Sequence, residues 1–181
     1  MISVAAYLEN EKVADLNSEY AHGRCFPVTG ASPLHDRLCM RLVRRLNAHL
    51  DGSPCRVFRP RVKTHIRLPG DERFYYPDIQ VACGEPRGLP DYLDCPRLIV
   101  EAMREGTERR IREEKAPAYR TLDSLQELAL IACDRPCILL WQRLPAGWTS
   151  RETTGEERLR LTSIGLDLSV AELYAGLPLG A

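Results

Sequence analysis

Two stretches decide how this chain reads: Phe74-Tyr75-Tyr76-Pro77-Asp78-Ile79-Gln80-Val81-Ala82-Cys83, and further on Arg97-Leu98-Ile99-Val100-Glu101-Ala102-Met103. The first reads as one strand, with Ile79 and Val81 on a shared face. A proline is tolerated in a strand only at an edge or a bulge, where the ladder is already interrupted. Such a distortion turns Asp78 toward a site. The second stretch is a short apolar strand with one carboxylate in it, and a carboxylate there is costly unless it is paired or binds a cation. Glu101 has three readings at this point: the solvent end of its strand, an ion pair with Arg109, Arg110 or Arg112, or a divalent-metal site shared with Asp78.

Working outward from this pair, the chain alternates helical and strand patterns. Ser3 is placed to cap a short helix through Glu9, and a strand follows near Tyr20 to Val28. Gly30-Ala31-Ser32-Pro33 supplies a helix start, with Ser32 as N-cap and Pro33 in the first helical position. Leu34, Leu38, Leu42, Leu46 and Leu50 then recur at helical spacing, and Val43 widens the stripe. Arg37, Arg41, Arg44 and Arg45 fall mostly off it, on a face that is either solvated or turned to nucleic acid. Asp51-Gly52-Ser53-Pro54 ends the helix. Val62, Thr64 and Ile66 alternate with Arg61, Lys63, His65 and Arg67, the period of a half-buried strand. A polar connection from Gly84 to Pro96 precedes the Glu101 strand, and residues 107–121 are helical in composition. Strands at Glu127–Cys133 and Cys137–Gln142 flank Asp134-Arg135-Pro136. Trp148–Thr154 and Leu159–Leu161 suggest a further hairpin, and Val170–Tyr174 a terminal helix. The order implies an α/β (α+β) fold, a mixed sheet with helices on at least one face, within a single domain spanning residues 1–181.

Bulk properties exclude more than they assign. The N-terminus lacks both the basic start and the apolar stretch of a signal peptide, and no apolar run approaches the roughly 18 residues of a membrane span, so a cytoplasmic location without membrane contact is expected. The seven scattered cysteines read as reduced thiols, with Cys133 and Cys137 as small buried residues of a hairpin. Net charge is zero, yet residues 1–70 hold 11 Lys and Arg against 6 Asp and Glu, and residues 71–181 hold 14 against 19. Such an asymmetry suits a molecule that meets phosphate on one face and holds a cation elsewhere.

The acidic pair has a use in phosphodiester hydrolysis, which needs an activated water and stabilisation of charge on the phosphoryl oxygens. One or two Mg²⁺ ions on carboxylates supply both, and a lysine nearby adds a fixed positive charge. The usual position for that lysine, two residues after the second acid, is Met103 here. The nearest candidate is Lys115, on the following helix. Its neighbours one turn away are Ile111, Arg112, Ala118 and Tyr119, none acidic, which leaves no simple surface ion pair for it.

Ser18-Glu19-Tyr20-Ala21-His22-Gly23, Thr29-Gly30-Ala31-Ser32 with His35, Tyr76-Pro77-Asp78, Leu98-Ile99-Val100-Glu101, Glu114-Lys115 with Tyr119, and Leu168-Ser169-Val170-Ala171-Glu172-Leu173-Tyr174 follow one another in order. By these motifs the chain resembles the Uma-type restriction endonuclease family of the PD-(D/E)xK superfamily. The resemblance implies a restriction-endonuclease-like mixed β-sheet core flanked by helices, dependence on Mg²⁺ (or Mn²⁺), DNA as substrate, and homodimers. It places the acidic metal ligands at Asp78 and Glu101, the displaced lysine at Lys115, an assisting glutamate at Glu19 and an imidazole at His35. The chain departs from the family pattern at His22, Arg24, Met103-Arg104-Glu105-Gly106 and Ile111, and Pro117 should kink the helix that carries Lys115. These departures motivate an alternative, a catalytically degraded member that serves as a nucleic-acid-binding or dimerisation module.

Overall fold

A computed structural model describes residues 1–28, 30, 32–84 and 92–179. Thr29 and Ala31 of the helix-start motif, and residues 85–91 of the connection read between Gly84 and Pro96, lie outside the described residues. Ser3 caps helix α1 (Val4–Val13) by accepting the Ala6 N–H at 3.2 Å, and the helix continues past Glu9. The stretch expected as one strand is a hairpin, β1 (Ser18–Ala21) and β2 (Arg24–Pro27). His22 and Gly23 both adopt positive φ, 52° and 70°, which is what a two-residue hairpin turn demands.

Helix α2 (Pro33–Leu50) follows the sequence reading. Ser32 accepts the His35 N–H at 3.2 Å, and Leu38, Leu42, Leu46 and Leu50 are buried. Each fully buried leucine contributes roughly 1.5–3 kcal/mol. Two of its arginines have partners within the chain. Arg41 donates to the carbonyls of Leu173 and Ala175 at 2.8 and 2.7 Å, and Arg45 pairs with Glu172 at 3.3 Å.

The strands that follow are β3 (Cys55–Phe58), β4 (Lys63–Leu68), β5 (Asp71–Tyr75), β6 (Ile79–Cys83), β7 (Tyr92–Leu93) and β8 (Leu98–Met103). Next come helix α3 (Glu108–Arg110), a π-helical turn (Ile111–Lys115) and helix α4 (Ala116–Tyr119). The chain continues with β9 (Glu127–Ala132), β10 (Cys137–Leu144), β11 (Gly147–Thr154), β12 (Arg158–Leu161), β13 (Leu166–Ser169) and helix α5 (Val170–Tyr174). One sheet has the order β2-β1-β5-β4-β7, a second β11-β10-β9-β8-β6-β3, and β12 and β13 form a ribbon. In the second sheet β8 runs parallel to β9 and antiparallel to β6, so the sheet is mixed.

Both faces of that sheet are covered. Leu98, Val100 and Ala102 pack with Leu38, Leu42 and Leu46 of α2 and Leu173 of α5. Ile99 and Met103 pack on the opposite side with Ile111, Ala116 and Tyr119. The alternation of β8 therefore sends Glu101 to the side of the π-turn and α4.

Four further expectations change. Phe74–Cys83 is not one strand: the chain leaves the first sheet after Tyr75 and enters the second at Ile79, with Pro77, which has no N–H to give a ladder, in the gap. From Lys63 to Ile66 β4 is buried on both faces, with His65 stacked on Phe74 at 4.3 Å against an aromatic cluster that includes Tyr7, Tyr20 and Tyr92. Trp148–Thr154 pairs with β10 rather than with Leu159–Leu161, whose partner is β13. Finally, Cys55 and Cys83 are joined in a disulfide, since β3 and β6 place them directly opposite one another with Cα atoms 3.9 Å apart. Cys133 and Cys137 are buried thiols of their hairpin, as read. Among the described residues no helix is long and apolar enough to cross a membrane.

Candidate functional site

The gap between the two sheets opens a cleft of about 530 Å³ in which Glu19, Asp78, Glu101 and Lys115 all meet. Each arrives by a different route. Glu19 projects from β1, Asp78 follows Pro77 at the crossing between sheets, Glu101 sits mid-strand in β8, and Lys115 ends the π-turn.

Asp78 is anchored at both oxygens. Its Oδ2 accepts the Ala102 N–H at 2.7 Å, which ties it to the residue next to Glu101, and its Oδ1 lies 3.1 Å from Nε2 of His35. Burial disfavours a charged His35 ring, but the hydrogen bond and charge of Asp78 outweigh it and raise the imidazole pKa. The helix-start residue His35 thus orients an acid of the cleft.

Glu101 is 2% exposed, and none of the arginines considered for it is its partner. Its Oε1 accepts the Tyr119 hydroxyl at 2.7 Å and forms a short ion pair with Lys115. Burial pushes the Glu101 carboxyl up to about 7; Lys115 pulls it down, while Asp78 and Glu19 raise it further. Burial works against the Lys115 charge too, but Glu101 and Glu19 more than restore it and hold the ammonium above its ordinary range. Tyr119, buried beside Glu101, has its pKa raised well above the usual phenol and remains a hydrogen-bond donor.

Lys115 Nζ also lies 2.9 Å from Glu19 Oε1. Glu19 Oε1 accepts the Tyr76 N–H at 3.0 Å, and Oε2 pairs with Arg110 at 2.7 Å. Arg110 in turn stacks over Phe26 at 4.5 Å. One lysine therefore bridges two carboxylates, with an arginine behind the second.

The helix carrying Lys115 widens into a π-helical turn just before Pro117. Ala116 N–H bonds the carbonyl of Ile111, five residues back, and this widened turn accommodates the proline ring without ending the helix. Met103 occupies the strand position after Glu101 where a lysine would be usual. It is 4% exposed and packs in the apolar cluster with Ile111 and Tyr119, so the amine arrives from the helix.

Sequence reasoning overlooked three contributors. Tyr119 was visible as a motif residue without a role. Arg110 was considered as a partner for Glu101 and instead serves Glu19. Cys39, one helical turn after His35, lines the cleft and carried no signal beyond its i,i+4 spacing.

Three carboxylates, all of them hard oxygen donors, line this cleft; Lys115 pairs with Glu19 and Glu101, and Asp78 is held by His35 and the Ala102 N–H. Such a set fits a divalent cation of the Mg²⁺ or Mn²⁺ type.

Comparison with known proteins gives a consistent result. The model of the family Uma2, described as a putative restriction endonuclease, matches residues 4–171. Two uncharacterized proteins of Synechocystis sp. are each 29% identical to this chain, one over 97% of it and 93% of the relative, the other over 86% and 89%. A crystal structure of a putative nuclease belonging to DUF820 from Anabaena variabilis superposes with a TM-score of 0.80, covering 98% of this chain and 99% of that one. At 17% identity the likeness is one of fold: the two chains share the mixed sheet flanked by helices. With the family model spanning nearly the whole chain, the protein belongs to the Uma2 family of putative restriction endonucleases.

Proposed function

We propose that this chain is a metal-dependent endonuclease that hydrolyses DNA phosphodiester bonds, with Asp78 and Glu101 as ligands of a Mg²⁺ or Mn²⁺ ion. The observation that carries the reading is Lys115: a buried ammonium, delivered from a helix, between Glu101 and Glu19 in the cleft that also holds Asp78. The ion would supply Lewis acidity toward a phosphoryl oxygen and a more acidic water. The protein's own groups do the rest. Lys115 presents a fixed positive charge where charge grows on the phosphoryl group. Tyr119 holds Glu101 in place, the Ala102 N–H and His35 hold Asp78, and Glu19 positions the Lys115 amine or a water beside it.

The test is nicking of supercoiled DNA by purified protein in Mg²⁺ or Mn²⁺. Cleavage is expected in the wild type and should fall at least a hundredfold in Asp78→Ala and Glu101→Gln. Equal cleavage in both variants would overturn the assignment. The second reading, binding without turnover, draws on Lys115 being closed between two carboxylates with only 6% of its surface exposed. DNA retained on a salt-sensitive footing, with no nicking under any divalent ion, would select it.

A further inference from the structure

The cleft has a second, chemically different side. His35 and Cys39 lie four residues apart on α2, on one helix face and one above the other. Both line the cleft beside Asp78. His35 Nε2 is 3.1 Å from Asp78 Oδ1, His35 Nδ1 is 3.9 Å from Cys39 Sγ, and one ligand atom from each of the three residues lies within 4.8 Å of the others. Among the described residues this is the group whose donors converge this closely.

The donor set is an imidazole nitrogen, a sulfur and a carboxylate oxygen. Mg²⁺ and Ca²⁺ take oxygen ligands and leave sulfur aside, whereas Zn²⁺ and Co²⁺ accept all three. Ligand atoms of a tetrahedral zinc site stand about 3.3–3.8 Å apart, given bonds of about 2.0–2.3 Å. The widest of the separations here, no more than 4.8 Å, needs shortening by about 1–1.5 Å. Rotation of the Cys39 and Asp78 side chains, with one ring nitrogen exchanging its present neighbour for the ion, is the movement the site requires.

We propose that His35, Cys39 and Asp78 form a binding site for a thiophilic divalent cation, Zn²⁺ by class, with its fourth position open to the cleft. On binding, the Sγ–H bond of Cys39 breaks, the sulfur keeps the electron pair as a thiolate ligand, and the proton leaves to solvent. Because Asp78 is shared, an ion here withdraws it from the hydrolytic cation. This consequence rests on the proposed nuclease reading; the site itself does not.

Co²⁺ titration of the metal-stripped full-length protein tests the site. Thiolate ligation gives a sulfur-to-cobalt charge-transfer band in the near ultraviolet. One equivalent should develop it in the wild type and Zn²⁺ should bleach it. The band should be lost in Cys39→Ser and in His35→Ala and kept in Glu101→Gln. Circular dichroism and thermal melting establish that each variant is folded; if His35→Ala is not, His35→Gln replaces it. No band in the wild type, or a band that survives Cys39→Ser, overturns the proposal. In the nicking assay, equimolar Zn²⁺ added to Mg²⁺ should slow the wild type at least tenfold and leave Cys39→Ser unaffected. Unchanged wild-type nicking overturns the sharing of Asp78. A cobalt band without any nicking supports the site and removes the nuclease reading instead.

Discussion

At the scale of single residues, the acids of the cleft are governed by burial and by the basic groups paired with them. Glu101 is held up to about 7, chiefly by burial, so its protonated form is favoured on folding. Its contribution to stability is accordingly full below about 4.5 and is lost as pH rises through about 7. A cation bound at Glu101 needs the deprotonated form and must displace that proton. Mn²⁺ affinity, measured by calorimetry, is therefore expected to rise with pH up to and somewhat beyond about 7, with proton release on binding. A flat affinity from pH 5.5 to roughly 8 would contradict this cause. Lys115→Met removes the one ammonium that Glu101 and Glu19 share. Breaking a buried pair from one side costs about 3–5 kcal/mol. Urea unfolding near neutral pH should show a loss of that order. The deficit should shrink at pH 5, where Glu101 can neutralise itself. Tyr119 and the main-chain N–H of Ala102 were not legible as site groups, because a hydroxyl or an amide acquires such a role only from what folds against it.

At the scale of elements, short local signals were read well and partnerships were not. The Ser32-Pro33 start and the leucine stripe specify α2 because capping and helical period act within a few residues of one another. Ser32→Ala deletes the cap on the His35 N–H and should cost about 1 kcal/mol in thermal or urea unfolding. Because His35 sits in that first turn, the same change should loosen its grip on Asp78 and weaken Mn²⁺ binding severalfold. Unchanged stability would show that the cap is not engaged. By contrast, the break at Tyr76-Pro77-Asp78 was legible only as a distortion. That it carries the chain from one sheet to another depends on partners in β1, β3, β4 and β8, which lie far away in sequence. The Trp148–Thr154 strand failed for the same reason. Its alternation says that it pairs but not with which strand, and β10 wins through the tight Pro145-Ala146 turn.

At the scale of the whole molecule, α2 and α5 close one face of the mixed sheet and the π-turn with α4 closes the other, and the cleft lies where the second sheet meets the first. The Cys55–Cys83 bridge ties β3, the outer strand, to β6, which leads out of the Asp78 crossing. A loop of 28 residues closed in this way is worth about 3–4 kcal/mol on the chain-entropy account. Reduction by a mild thiol, or Cys55→Ala with Cys83→Ala, should lower unfolding stability by that order, and identical urea midpoints with and without reductant would count against it. Sequence by itself was enough for the class of fold, the ends of α2, and the identity of Glu19, Asp78, Glu101 and Lys115 as candidates. The fold class and the ends of α2 rest on local period and capping, and Asp78 and Glu101 on the cost of burying charge, all of which are written along the chain; Glu19 came from the family resemblance alone, and Lys115 was strengthened by it. Tertiary structure alone decided that Lys115 bridges Glu101 and Glu19, that His35 and Cys39 stand together at Asp78, and that Cys55 meets Cys83. Those are distances between residues remote in sequence, set by which strands pair and which faces pack.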